Sequence, residues 1–209
     1  LKGIVARITV AFAIATRFSA PTIVSHQILG KHCLQTRRQN PSFVRRSKEL
    51  GAAECFGFDA RQHWVEQAEF LLANRDFPKE GIRFSRLDLL ELPQLKLPAF
   101  DITWFSGIFY HLPDPIAGLK IAADLTKEVL MVNTAWKPGP VDALIAGQES
   151  TDLPMSGMYG LNWHPTGPEV LQSILRWLGF KEFRLAFRND HRLALWASRT
   201  QGLLKSGCV

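Results

Sequence analysis

The chain has 209 residues, of which 46% are hydrophobic and 21% are charged. This composition is typical of one globular domain with a substantial core and excludes a disordered or collagen-like chain. The formal net charge of +6 is concentrated in the first 50 residues, which hold nine Lys/Arg and one acid, whereas residues 51–209 hold 16 Lys/Arg and 18 acids. The basic balance of the whole chain therefore does not indicate that its main body binds nucleic acid.

Cysteine usage and hydropathy narrow the class of protein further. Cys33, Cys55 and Cys208 are scattered, so the sequence predicts neither a disulfide framework nor a metal site, and we expect a reducing, cytoplasmic setting. No apolar run approaches the roughly 18 residues that a membrane-spanning helix needs, so we expect no membrane partner.

Residues 1–48 differ from the rest of the chain. Leu1–Ala20 contains a short apolar run between arginines, typical of either a signal peptide or a transit segment, and the initial Leu leads us to expect a fragment of a longer chain. Residues 31–48 are basic, with no acid and no clear period. A basic RNA-binding arm is one interpretation, and an atypical, poorly packed segment with irregular structure is the one we favour.

From residue 49 to about 199 the sequence alternates between strand-like and helix-like patterns, and residues 200–209 form a tail. Such alternation predicts parallel βαβ units and an α/β fold. Asp114-Pro115 is typical of a helix N-cap followed by proline at the first helical position. The expected strands and helices are Glu54–Asp59, Ala60–Ala73, Ile82–Leu87, Phe100–Phe105, a helix from Pro115, and Glu128–Thr134.

The last part of this region predicts an insertion, a helix and a hairpin. Ala135–Pro165 is rich in Gly, Pro and Ser, which is typical of an active-site insertion or lid. Thr166 and Glu169 have capping-box spacing ahead of an amphipathic helix. Two strand patterns follow, Glu182–Phe187 and Arg192–Ser198, joined by a turn-forming Asn-Asp pair.

Two acids follow predicted strands at positions where nucleotides bind. Asp59 ends one strand, and its carboxylate could accept hydrogen bonds from a ribose at the carboxyl edge of a parallel sheet. Asp88 ends the next strand, where an acid could contact an adenine. For both residues a simple helix cap or turn is the alternative.

A third candidate is the segment DITWFSGIFYHLPDP, Asp101–Pro115. Its strand runs into Ser106, Tyr110 and His111, which therefore lie at the edge where open α/β sheets bind ligands. A structural Tyr-His pair is the alternative for the last two residues. We expect Asp59, Asp88 and Tyr110 to face one crevice.

The order and spacing of these three elements resemble the class I S-adenosylmethionine-dependent methyltransferases over residues 49–199. The resemblance implies a Rossmann-like sheet that is mostly parallel with an antiparallel C-terminal hairpin, and S-adenosylmethionine as cofactor. Tyr110 and His111 are then the candidate catalytic residues, with His111 as the candidate base. The implied cofactor-binding residues are Asp59, Ala60, Asp88, Leu89, Ser106 and Tyr110.

Two stretches are similar to the branch that contains tRNA wobble-uridine carboxymethyltransferases and their relatives. They are FSGIFYHLPDP and its continuation to Thr134, and MYGLNWHPTGPEV with the helix that follows. In that branch the tyrosine matching Tyr110 lies near the sulfonium ligand. The acceptor is then a small molecule or a tRNA base, and the oligomeric state is left open. His164 either lines the substrate side or stabilises a turn.

One feature departs from the family pattern. The family's first strand ends in an acid-x-Gly-x-Gly loop, but residues 31–50 contain no glycine and one acid, Glu49. We therefore hypothesise that residues before about Lys48 are not in the family's native reading frame. A degenerate, non-catalytic domain without cofactor binding is the alternative function, and a nicotinamide-dependent oxidoreductase fits less well because it also needs a glycine loop.

Overall fold

A computed structural model describes residues 12–18 as backbone and residues 44, 47–48, 52–74, 79–150, 152 and 158–204 in full. Its main feature is a seven-stranded sheet formed by β1 (Phe12–Phe18), β2 (Ala52–Asp59), β3 (Ile82–Arg86), β4 (Phe100–Ser106), β5 (Thr126–Ala135), β8 (Glu182–Arg188) and β9 (Arg192–Ser198). The strand order in this sheet is β3-β2-β1-β4-β5-β9-β8.

Three α-helices and a two-stranded ribbon complete the described fold. The ribbon pairs β6 (Leu144–Gln148) with β7 (Leu161–Pro165) in antiparallel fashion. The α-helices are α1 (Gln62–Ala73), α2 (Pro115–Asp124) and α3 (Pro168–Trp177), and two short 3-10 helices cover Leu89–Leu95 and Phe109–His111.

The core lies on both faces of the sheet because successive strand residues point to opposite sides. One face carries the larger cluster, which α2 and α3 cover, and the other face carries a smaller cluster that α1 covers. Representative members of the first cluster are Phe100, Phe105, Leu119, Leu130, Leu171, Leu175 and Leu195. Members of the second are Ile102, Trp104, Val129, Met131, Ala68 and Trp196.

The sheet is mixed, which corrects the prediction of a mostly parallel sheet. Parallel pairing joins β2 to β3 and β4 to β5, whereas β1 is antiparallel to both of its neighbours. The predicted C-terminal hairpin is present, with β9 antiparallel to both β5 and β8. The reversed direction of β1 is therefore what makes the centre of the sheet mixed.

Only a small part of residues 1–48 is described, so the expectation that this segment is poorly packed and irregular stays a prediction. Phe12–Phe18 forms a strand between β2 and β4, and the side chains of Val44 and Ser47 are buried. The signal- or transit-like features before Phe12, most of the basic stretch 31–48, and Cys33 and Cys208 lie outside the described residues. The reading-frame hypothesis therefore stays a prediction.

The two predicted helix caps have different outcomes. Asp114 is the N-cap of α2, where its Oδ1 accepts hydrogen bonds from the backbone N–H groups of Ile116 and Ala117, as predicted. The capping box at Thr166 is wrong. Gly167 is the N-cap of α3, and the Thr166 hydroxyl instead exchanges hydrogen bonds with the backbone of Ala143, joining the ribbon to the helix start.

Burial makes Cys55 a testable probe of the core. Its thiol is fully buried on β2, and desolvation raises its pKa to about 12. Because the thiolate is the reactive form, we expect no reaction of Cys55 with a thiol reagent until the protein unfolds. A variant with Cys33→Ser and Cys208→Ser isolates this thiol, and rapid labelling of the native protein would contradict the packing of β2.

Candidate functional site

A crevice opens at the carboxyl ends of β2, β3 and β4, the edge of the sheet where α/β folds bind ligands. It encloses about 90 Å³. Its wall includes residues from four segments of the chain. They are Asp59, Ala60 and Arg61 at the end of β2, Asp88 and Leu89 after β3, Gly107, Ile108 and His111 after β4, and Met158 and Tyr159 before β7.

Asp59 is the last residue of β2 and is only 7% exposed. Its Oδ1 accepts a hydrogen bond of 2.9 Å from the Arg61 backbone N–H, and Arg61 rather than Asp59 is the N-cap of α1. Burial raises the pKa of the Asp59 carboxyl to about 6, although the Arg61 hydrogen bond and charge oppose the rise. At neutral pH the crevice therefore contains a desolvated carboxylate.

Asp88 lines the same crevice and also caps the 3-10 helix that follows it. Its Oδ1 accepts a hydrogen bond from the Leu90 backbone N–H, and Glu91 completes the capping box. Its Oδ2 accepts a hydrogen bond from the Tyr159 hydroxyl. Burial and the nearby Asp88 carboxylate raise the pKa of Tyr159 to about 12, so the tyrosine acts as a neutral donor.

The chain turns at Gly107 as it leaves β4. Gly107 has a φ of 76°, a conformation that favours glycine, and its N–H donates to the Asn133 carbonyl at 2.8 Å. This turn directs the next 3-10 helix so that His111 reaches the crevice wall. Ser106, the last residue of β4, is not among the described residues that line the crevice.

Tyr110 is not among the described residues that line the crevice, and the expectation that it shares one crevice with Asp59 and Asp88 stays a prediction. It is 8% exposed, and its hydroxyl accepts a hydrogen bond of 2.9 Å from Arg192 Nη2. The Arg192 guanidinium also lies 4.9 Å from the centre of its ring. This arginine, at the start of β9, holds Tyr110 on the side of the ribbon.

His111 has a carboxylate partner that sequence analysis did not predict. Its Nδ1 lies 2.9 Å from Glu149 Oε2, and both side chains are 15% exposed. Burial lowers the pKa of His111 below its usual value despite the opposing effect of Glu149, so the imidazole is neutral at pH 7. A neutral imidazole next to a carboxylate is a group that can accept a proton.

One hairpin supplies contacts to both ends of the crevice. We call β6, β7 and the flanking residues Glu149 and Tyr159–Gly160 the β6–β7 arm. The Glu149 N–H donates to the Gly160 carbonyl at 3.0 Å, which extends the ribbon by one pair. Glu149 reaches His111, and Tyr159 reaches Asp88. The predicted insertion is thus an ordered ribbon next to the site over its described residues.

His164, on β7 of this arm, packs beside Tyr110 with 6.3 Å between the ring centres and is 8% exposed. Burial, with a smaller contribution from Lys137, lowers its pKa to about 4, so its ring is neutral. It is not among the described residues that line the crevice. The structure therefore groups it with Tyr110 and not with the two acids.

Two further properties concern the described part of the chain. Within it, no three His, Cys, Asp or Glu side chains form a group suited to a metal ion. None of the helices in the same residues has the length and apolar character needed to cross a membrane.

Comparison with known proteins gives structural likenesses only. No protein-family model matches the sequence, and no curated protein matches it. The N-terminal domain of EvdMO1, crystallised with SAH and D-fucose, superposes with a TM-score of 0.57 at 19% identity over 68% of this chain. The chain covers 65% of that domain, less than two thirds of its length.

Two more solved structures are similar over most of their length. An S-adenosylmethionine-dependent methyltransferase from Mesorhizobium loti has a TM-score of 0.51 and 18% identity, covering 75% of this chain and 85% of its own. A methyltransferase of the same kind from Listeria monocytogenes has a TM-score of 0.51 and 12% identity, covering 77% and 86%. The chain therefore has the fold of the class I S-adenosylmethionine-dependent methyltransferases.

Proposed function

We propose that the chain is an S-adenosylmethionine-dependent methyltransferase whose crevice holds the cofactor. The observation that carries this proposal is the Asp59 carboxylate at the end of β2. It is desolvated, it lines the crevice, and among the described residues only its Oδ1 has a hydrogen-bond partner. The second carboxylate oxygen can accept a hydrogen bond from a ribose hydroxyl, and such a charge-assisted bond is stronger than one between neutral groups.

The other residues of the crevice also fit an adenosine. Asp88 presents a second carboxylate, and the adjoining Leu89 offers an apolar side chain. We assign these two residues to the adenine. Ala60 and Ile108 add small and apolar surface to the wall. A pocket with an apolar lining and a few fixed polar groups is typical of a nucleoside site.

When bound, S-adenosylmethionine would supply an electrophilic methyl group. The residues of this chain then have to orient the reactants and exclude water. His111 is the wall residue that can accept the proton released by an acceptor, because its ring is neutral at pH 7. Tyr110, held by Arg192 outside the described wall, is assigned to the side that faces the acceptor.

The acceptor is a small molecule or a tRNA base in this proposal. A tRNA base is supported by the sequence similarity to the wobble-uridine branch. This similarity covers Phe105–Thr134 and the stretch from residue 158 onward. A cytoplasmic location is part of the same proposal. The EvdMO1 domain was crystallised with a sugar, D-fucose, which is an example of a small-molecule ligand on this fold.

A second candidate function is a non-catalytic methyltransferase-like domain, and the direction of β1 favours it. Phe12 pairs with Ser106 at the crevice edge, whereas Phe18 pairs with Ala52 at the opposite edge. β1 therefore ends at the edge of the sheet opposite the crevice. In methyltransferases the strand before the glycine loop ends at the cofactor edge, so the direction of β1 does not match that arrangement.

Isothermal titration with S-adenosylhomocysteine separates the two candidates. The enzyme proposal predicts saturable heat with a stoichiometry of one, and the same heat from the Asp101→Asn control, whose carboxylate lies at the amino end of β4. Absence of heat from a folded protein would leave the non-catalytic domain as the function of this chain.

Loss of the Tyr159 hydroxyl is predicted to increase the affinity for the ligand. Its hydroxyl occupies Asp88 Oδ2, the oxygen that an adenine amino group would need. Removing the hydroxyl in Tyr159→Phe should free this acceptor and raise the affinity for S-adenosylhomocysteine by about fivefold, since a hydrogen bond contributes roughly 1 kcal/mol. Titration of the variant checks this, and a weakened affinity would show that the hydroxyl contributes to binding instead.

A further inference from the structure

Resting on the proposed function, we infer that Glu149 is a positioning residue that fixes the proton of His111 on Nδ1 and leaves Nε2 as the atom that accepts the acceptor's proton. Glu149 belongs to the β6–β7 arm and lies 38 residues from His111 along the chain. The arm therefore contributes a residue to the site.

The geometry of the pair determines the tautomer. A carboxylate only accepts hydrogen bonds, and Glu149 Oε2 lies 2.9 Å from His111 Nδ1. The neutral imidazole must therefore carry its single proton on Nδ1, so the lone pair is on Nε2. His111 is part of the crevice wall, so the residue that carries this lone pair borders the site.

The position of Glu149 is itself fixed by the backbone. Its N–H pairs with the Gly160 carbonyl, so Glu149 extends strand β6 instead of belonging to a free loop. Its side chain is 15% exposed, which reduces competition from water. A histidine oriented by a carboxylate on a rigid element is an arrangement that general bases use.

Burial is the main reason that His111 is neutral. It lowers the pKa of the imidazole most, the hydrogen bond and charge of Glu149 raise it, and the guanidiniums of Arg61 and Arg192 lower it by smaller amounts. Tyr110, whose ring centre lies 3.9 Å from that of His111 at an interplanar angle of 43°, is a neutral neighbour. With S-adenosylmethionine bound, a bond would form between the acceptor atom and the methyl carbon as the carbon–sulfur bond breaks with its electron pair going to sulfur, and Nε2 of His111 would take the acceptor's proton. The Glu149 carboxylate then stabilises the imidazolium.

Nitrogen-15 NMR of the histidine rings tests this inference in the ligand-free 209-residue chain. We expect His111, assigned with a His111→Gln variant, to show the Nδ1–H tautomer, and Glu149→Gln to lower its pKa. Glu149→Ala should lose the Nδ1–H preference, whereas the exposed control Glu69→Gln should leave the tautomer and pKa of His111 unchanged. If the alanine variant fails to fold, the pKa of His111 in the glutamine variant still tests the inference.

Adding S-adenosylhomocysteine distinguishes a positioning role from a purely structural one. The Nε2 signal of His111 should shift on titration, and Glu149→Gln should bind the same ligand with unchanged affinity. An Nε2–H tautomer in the wild type, a pKa indifferent to Glu149, or an Nε2 signal that ignores bound ligand would each overturn the inference. Absence of ligand binding in every variant would instead reject the proposed function on which the inference rests.

Discussion

Replacing Asp59 with asparagine is expected to weaken S-adenosylhomocysteine binding about 30-fold or more while making the free protein more stable at pH 8. The loss follows from removing charge-assisted hydrogen bonds to a ribose, which are worth about 2–4 kcal/mol together. Replacement by alanine should weaken binding at least as much. Isothermal titration measures the affinity, and an unchanged dissociation constant would exclude the ribose role.

The gain in stability follows from the raised pKa. Asp59 titrates at about 6 in the folded protein against an ordinary value of 3.8, so the folded state holds the proton more tightly than the unfolded state. Stability is therefore lost as the pH rises from about 4 to about 6, on the order of 3 kcal/mol. Asparagine does not ionise and avoids this loss. Urea unfolding at pH 4 and pH 8 checks the sign, and Asp101→Asn is the control.

The same titration makes ligand affinity depend on pH. Below about pH 6 the Asp59 carboxyl is protonated and loses acceptor capacity, so wild-type affinity should fall between pH 7 and pH 5. The asparagine variant should lack this component of the pH dependence. A stabilised protein that no longer binds is the expected behaviour of a site residue retained for function at the expense of stability.

Truncating Arg199 to alanine is expected to destabilise the protein by about 3 kcal/mol or more. Its guanidinium donates hydrogen bonds of 2.8–3.0 Å to three backbone carbonyls, at the end of α2, at the start of β5 and just after α3. It also lies 4.4 Å from the centre of the Phe180 ring. Truncation leaves partly buried carbonyls without a donor, and each such loss is costly.

Urea unfolding measures this effect. Lys120→Ala is the matched control, because it removes one positive charge from an exposed i,i+4 pair with Asp124 and should change stability by about 1 kcal/mol or less. Arg199→Lys keeps the charge but not the fork of donors, so it should recover only part of the loss. A change for Arg199→Ala as small as that of the control would mean that water replaces these hydrogen bonds.

Local sequence patterns predicted the elements that depend on short-range rules. The strands that end at Asp59 and Ser106, the cap at Asp114 and the terminal hairpin all follow from apolar runs, capping residues and turn residues close in sequence. Asp59 and Asp88 meet at one crevice because parallel strands place their carboxyl ends on the same edge.

The remaining parts of the site depend on contacts that sequence patterns do not encode. Glu149 is 38 residues from His111, and Tyr159 is 71 residues from Asp88. Both contacts exist because the β6–β7 arm folds back over the crevice, and its strands, LIAGQ and LNWHP, contain glycine, proline and no clean alternation. The direction of β1 is likewise a tertiary property, since an apolar run pairs equally well in either direction.

A crystal structure of the protein with S-adenosylhomocysteine tests the central claim most directly. We predict density for the adenosine in the crevice, with the ribose hydroxyls bonded to Asp59 and the adenine edge at Asp88 and Leu89. His111 Nε2 should face the ligand while Nδ1 stays on Glu149. Density elsewhere on the protein, or an adenosine that leaves the Asp59 carboxylate without a ribose partner, would contradict the assignment of this crevice.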